Sequence, residues 1–186
     1  MKHYKFYVLL IYFLFALLGC TSSSNQAYDT NTEVPENDPD FPALEMYWVI
    51  DQTGLLNEET ITNGDIVLEE LKQDGIAEIV IVLINGVEHP EDWATHYGRW
   101  LKLGEQEMST EGGNNGVVWL IRPDANEKLT ISVGRGLPAF TSVKYKEIII
   151  VAIEYFNFNN FNRGVEVLIS ETDGVLREIY GETKQE

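Results

Sequence analysis

Gly112-Gly113-Asn114-Asn115-Gly116 runs into Val117-Val118-Trp119-Leu120-Ile121, then through Pro123-Asp124-Ala125-Asn126-Glu127-Lys128 into Leu129-Thr130-Ile131-Ser132-Val133-Gly134-Arg135-Gly136. The apolar run between Gly116 and Pro123 has the length and content of a buried strand. Proline presets φ at the turn, and Asp and Asn make the local bonds that tighten it. Leu129, Ile131 and Val133 alternate with polar residues, which predicts a half-buried strand returning antiparallel to the first. A hairpin brings the residues before its first strand beside those after its second. Asn114-Asn115-Gly116 and Gly134-Arg135-Gly136 are therefore expected together at one sheet edge. Glycine tolerates positive φ and close approach to a ligand, so these two loops are the leading site in the chain. A hairpin that binds nothing would need the same glycines, because the chain must turn at both ends.

Around the hairpin the pattern is mixed α/β. Met46 to Ile50 reads as extended, and Asn57 as the cap of a helix with Glu58 and Glu59 in its first turn. Ile61, Leu68 and Leu71 carry that helix to Asp74-Gly75, with Gly64 a weak point inside it. Ile79 to Ile84 is continuously apolar, as in a strand covered on both faces. Pro90-Glu91-Asp92 opens a second helix, whose Trp93, Tyr97, Trp100 and Leu101 form a core stripe. His89 and His96 read as surface residues. Ile148 to Ile153 is β-branched enough to be a strand, and periodicity alone leaves helix and strand both open. Val165, Leu168, Ile169, Thr172, Leu176 and Ile179 follow a helical stripe. The sum is a small sheet with helices on its faces.

Composition narrows the function. With 186 residues, 44% of them hydrophobic, the chain has material for one ordinary domain. A net charge of −17 argues against a nucleic-acid surface and against electrostatic attachment to anionic lipid. The single cysteine, Cys20, excludes an intramolecular disulfide and a two-cysteine metal site. Lys2 and Lys5 precede an apolar run from Phe6 to Leu18, the layout of a signal peptide, with an uncut anchor as the alternative. Leu17-Leu18-Gly19-Cys20 resembles the lipobox of bacterial lipoproteins. That resemblance implies cleavage before Cys20, diacylglycerol on its sulfur, and a lipid-anchored protein of the bacterial cell envelope. Thr21 to Ala43 is rich in Ser, Asn, Thr, Asp and Pro and reads as a tether. The expected divisions are a signal peptide at 1–19, lipidated Cys and tether at 20–45, a domain at 46–181, and a tail at 182–186.

Several motifs, in order, resemble the TPM domain family. Val49-Ile50-Asp51-Gln52-Thr53-Gly54-Leu55-Leu56 is similar to its opening, hydrophobic-x-Asp-x-Ala-Gly-Leu-Leu. Trp100 with Leu103-Gly104, and Asn114-Asn115-Gly116-Val117, resemble its Trp-x-Ile/Leu-Gly and Asp/Asn-Asn-Gly-Val elements. Val133-Gly134-Arg135-Gly136-Leu137 resembles Val-Gly-Tyr-Gly-Leu, and Phe156 to Gly164 a later Phe-x-x-Gly-Asp-Tyr loop. The resemblance implies a three-layer α/β/α sandwich and makes 142–156 a helix. It also implies divalent-ion binding, usually calcium, and the acid-phosphatase activity of some plant members. Arg135 stands where an aromatic is usual, Asn114 is a residue some relatives share at its position, and Pro138, Ser142 and Asn160 leave acidic positions neutral, which should weaken a calcium site.

Two functions from different classes follow. One is a membrane-tethered binding or accessory module for envelope membrane proteins, with a weakened cation site at Asp51, Asn114 and Asn115. The other is a calcium- or magnesium-dependent phosphatase acting on phosphomonoesters. Arg135 is expected to pair with Asp51, with a solvent-exposed residue that pairs with nothing as the alternative. Gly116, Gly134, Arg135, Gly136 and the helix start at Ser142 are the expected anion-binding loops. The chain carries no phosphate loop with lysine, no Gly-x-Ser-x-Gly elbow and no His-Glu-x-x-His.

Overall fold

Strands form where apolar residues face two cores at once. The computed structural model describes residues 41–43, 47–104 and 114–181. The segment read as a signal peptide, Cys20, most of the stretch read as a tether and the tail at 182–186 lie outside the described residues. Strand β1 (Val49–Asp51), helix α1 (Glu58–Gln73), β2 (Glu78–Leu83), α2 (Pro90–Trp100), β3 (Gly116–Ile121), β4 (Leu129–Val133), α3 (Ser142–Asn157) and α4 (Phe161–Tyr180) follow in that order. The sheet order is β1-β2-β3-β4, with the first three strands parallel and β4 antiparallel to β3.

Alternate side chains of the central strands divide between two cores. Ile79, Ile81, Leu83, Val117, Trp119 and Ile121 join the helices α1, α3 and α4 on one face. Val80, Val82, Val118 and Leu120 meet Trp93, Ala94 and Tyr97 of α2 on the other. This double burial is why β2 and β3 read as unbroken apolar runs. The result is a three-layer α/β/α sandwich.

The helix ends and crossings are set locally. Asn57 caps α1, its side chain accepting from the Thr60 N–H at 2.8 Å. Gly64 does not break this helix. A Cβ there would lie 2.7 Å from Ile169 and 2.9 Å from Val49, so its absence lets α1 approach both α4 and β1. At the next residue, Asp65 Oδ1 accepts the Trp48 and Val49 amides at 2.7 and 2.9 Å, tying β1 to the helix. Burial pushes the Asp65 carboxyl above the ordinary carboxylate range, and the two amide donors only partly offset that.

One open choice closes as the family resemblance implied, and one expectation changes. Residues 142–157 are helical: Ile148, Ala152 and Phe156 turn inward, while Ile150 and Val151 are exposed. Its β-branched content thus belongs to a helix apolar on two sides. The stretch read as tether also ends earlier than expected. Phe41 is 5% exposed and lies against Trp93, Tyr97 and Trp100, and the Tyr97 hydroxyl donates to Pro42 O at 2.8 Å.

Candidate functional site

The hairpin does bring its two glycine-flanked loops together. Gly134 N–H donates to Gly116 O at 2.8 Å, and Gly136 N–H to Asn114 O at 2.9 Å. Asn114 holds φ at 62°, a left-handed conformation that Asn tolerates. The glycines serve backbone crowding at this point. A Cβ on Gly134 would fall 2.1 Å from Asn114 O, and one on Gly116 2.8 Å from Leu103 O. Gly104, at φ 80°, sits equally close to the Asn115 and Gly116 nitrogens. Asn115 is buried and donates its side-chain amide to Ile76 O at 3.2 Å.

Beside these loops, on the α2 face of the sheet, lies a cleft of about 230 Å³. Asn114, Gly116, Gly134 and Arg135 line it from the hairpin, and Thr95, Gly98 and Arg99 from α2. Ser132 completes the polar wall, its hydroxyl 3.1 Å from that of Thr95. Gly98 makes room for this approach, since a Cβ there would be 3.0 Å from Val118. Arg99 and Arg135 make no ion pair among the described residues. The other three arginines are committed: Arg163 to Glu166, Arg177 to Asp74 and Asp173, and buried Arg122 to the carbonyls of Val87 and Glu127. Sequence reading found Arg135 and missed Arg99, Thr95 and Ser132. The signal available was the polar i, i+3, i+4 face Thr95-Gly98-Arg99, opposite the aromatic stripe of α2.

Asp51 is elsewhere. It stands level with Leu83 and Ile121, at the far end of the strands from Gly116. The six-residue strand between, at ~3.3 Å per residue, holds it ~17 Å or more from Asn114 and Asn115. Arg135 and Asp51 therefore do not pair, and the three residues named as one cation set do not meet. Asp51 closes its own loop instead. Oδ1 accepts from Thr53 N, Thr53 Oγ1 and Gly54 N at 2.8, 2.6 and 3.0 Å, and Oδ2 from Leu56 N at 2.7 Å. Ser142 begins α3 on the opposite face of the sheet from the cleft and is exposed. His96 is buried within α2 at 3% exposure, not at the surface, whereas His89 is exposed.

The motif order and this architecture have counterparts. Residues 49–175 match the TPM domain. The chain belongs to the TPM domain family. A solution structure of the N-terminal domain of a P. gingivalis protein is similar over 83% of this chain and 99% of that one, with 20% identity and a TM-score of 0.66. The N-terminal domain of a Corynebacterium glutamicum protein covers 83% of this chain and 95% of its own, with 20% identity and a TM-score of 0.52. A protein of the psychrophilic bacterium Bizionia argentinensis covers 68% and 85%, with 16% identity and a TM-score of 0.53. These likenesses establish the fold. Among curated proteins nothing matches.

Within this TPM domain the donor chemistry differs between the two strand ends. Calcium takes six to eight oxygen ligands within about 2.6 Å, several of them charged. Both Asp51 oxygens already accept amide or hydroxyl hydrogens, and the described residues lining the hairpin-end cleft bring two guanidinium groups and no carboxylate. Asp51, Asn114 and Asn115 do not fit one calcium ion. The described residues lining the cleft suit an anion.

Proposed function

We propose that the protein is a lipid-anchored TPM-domain module of the cell envelope that binds a ligand through an anionic group held in the hairpin-end cleft. The observation that carries this reading is the convergence of Arg99 and Arg135 on one cleft, without an acidic partner among the described residues. Guanidinium donors match carboxylate and phosphate oxygens in pairs. The Thr95 hydroxyl is committed to Glu91 O at 2.9 Å, so Ser132 is the hydroxyl that can turn toward a ligand beside them. In a chain of net charge −17 such a pocket discriminates by local chemistry, since the overall field repels anions. An envelope membrane protein exposing an acidic group is the partner that suits a tethered module.

Calorimetric titration with inorganic phosphate and with acetate tests the cleft. Arg99→Ala and Arg135→Ala should each weaken binding roughly tenfold, as loss of a hydrogen bond to a charged group does. Arg163→Ala, which removes equal charge at a site paired with Glu166, should leave it unchanged. Equal losses in all three variants would reduce the effect to net charge. Hydrolysis of p-nitrophenyl phosphate that disappears in Arg135→Ala would select the phosphatase reading over the binding module.

The anchor is tested separately. Metabolic labelling with a fatty acid should mark the wild-type chain and not Cys20→Ser, which should leave the membrane fraction. Equal labelling of both removes the tether from this reading.

A further inference from the structure

The cleft does not use the most exposed apolar surface of the described residues. Val143, Ile150, Val151 and Phe158 are 66%, 65%, 44% and 85% exposed, and all four belong to α3 or its C-cap. At 100° per residue they fall within one third of the helix circumference, so they form a single stripe running its full length. Glu147 and Glu154 occupy the middle of that stripe, both exposed and without an ion pair among the described residues. Lys144 and Lys146 stand to its two sides. The inward face of α3 is already satisfied by Ile148, Ala152 and Phe156, so the outward stripe contributes nothing to the core.

Its charge pattern selects the occupant. A lipid surface would have to accept two carboxylates in the centre of the inserted face, in a chain already strongly negative. A second copy fares no better. An antiparallel two-fold axis between Ile150 and Val151 sets Glu147 against the other Glu154, and a parallel one sets each glutamate against itself. A helix with apolar residues on one face and Lys or Arg among them satisfies both the stripe and the two carboxylates. We propose that α3 is a docking face for a basic amphipathic helix of another protein. It is independent of the anion cleft, which lies on the opposite face of the sheet.

The probe is an 18-residue Leu/Lys amphipathic peptide, added to the full chain held in phosphatidylcholine nanodiscs, with its Leu/Glu counterpart as control. Hydrogen exchange should slow across 143–158 with the Leu/Lys peptide and not with the Leu/Glu one. Ile150→Ser with Phe158→Ser, which leaves charge unaltered, should weaken binding at least ~10-fold, because two apolar side chains no longer bury against the partner. Glu147→Gln with Glu154→Gln should weaken it as well, whereas removing the acids Glu166 and Glu171 from α4 should not. Binding that survives the Ile150 and Phe158 changes, or protection spread evenly over acidic surfaces, would overturn the proposal. So would self-association through α3 in the absence of peptide.

Discussion

Asp51→Ala is expected to cost the domain about 3 kcal/mol of stability, in EDTA as much as in calcium, because four hydrogen bonds converge on one carboxylate. The bonds are not additive, and Asp51 is only half-buried, so the sum of four separate values would overstate the loss. Asp51→Asn should cost less, ~1–2 kcal/mol, since the amide oxygen still accepts from Thr53 and Gly54 while Leu56 N–H loses its acceptor. Urea denaturation measures both. If Asp51→Ala is as stable as wild type in EDTA and loses only a calcium-dependent gain, Asp51 is a cation ligand and not a loop closure.

Gly134→Ala is the second large effect. The new methyl carbon would lie 2.1 Å from a backbone oxygen and 2.5 Å from Asn114 Oδ1, so the hairpin must open or the Asn114 loop must shift. A cost of about 3 kcal/mol is expected, the upper range for overpacking, accompanied by loss of the Gly136-to-Asn114 hydrogen bond. Gly54→Ala provides the matched control. Its φ is +71° but nothing lies within 4 Å of the new carbon, so strain alone should cost ~1 kcal/mol. Similar losses at the two positions would mean that the close crossing of chains at Gly134 does not set the cost.

Of these two residues, sequence placed Gly134 and misplaced Asp51. The hairpin and the buried strands were legible because β2 and β3 are covered on both faces, which leaves no polar interruption to confuse the pattern. The Asn57 cap and the α2 stripe were legible because both are local. The ends of the strands were not. Asp51 and Asn114 fall on opposite ends because β1 and β3 run the same way and Asp51 is the last residue of its strand, whereas Asn114 precedes its own. Motif order along the chain carries no such information. Helix α3 was ambiguous for a different reason. Its outward stripe removes the polar face that marks most surface helices, so β-branched content was all that remained to read. Arg99 was invisible because its partners in the cleft come from β4 and the loop before β3, more than a dozen residues away. Phe41 was hidden by its neighbours, a single aromatic among Asp and Pro whose burial depends on rings of α2.

The separation of a loop-closing Asp51 from an arginine-lined anion cleft is open to one direct measurement. Amide NMR shifts of the ¹⁵N-labelled chain would be followed while inorganic phosphate and then calcium are added. Phosphate should move the amides of Thr95 to Arg99 and Ser132 to Arg135, leave Asp51 to Leu56 in place, and lose its effect in the Arg99→Ala, Arg135→Ala double variant. Calcium shifting the Asp51 and Asn114 loops together, with phosphate silent at both arginines, would contradict it.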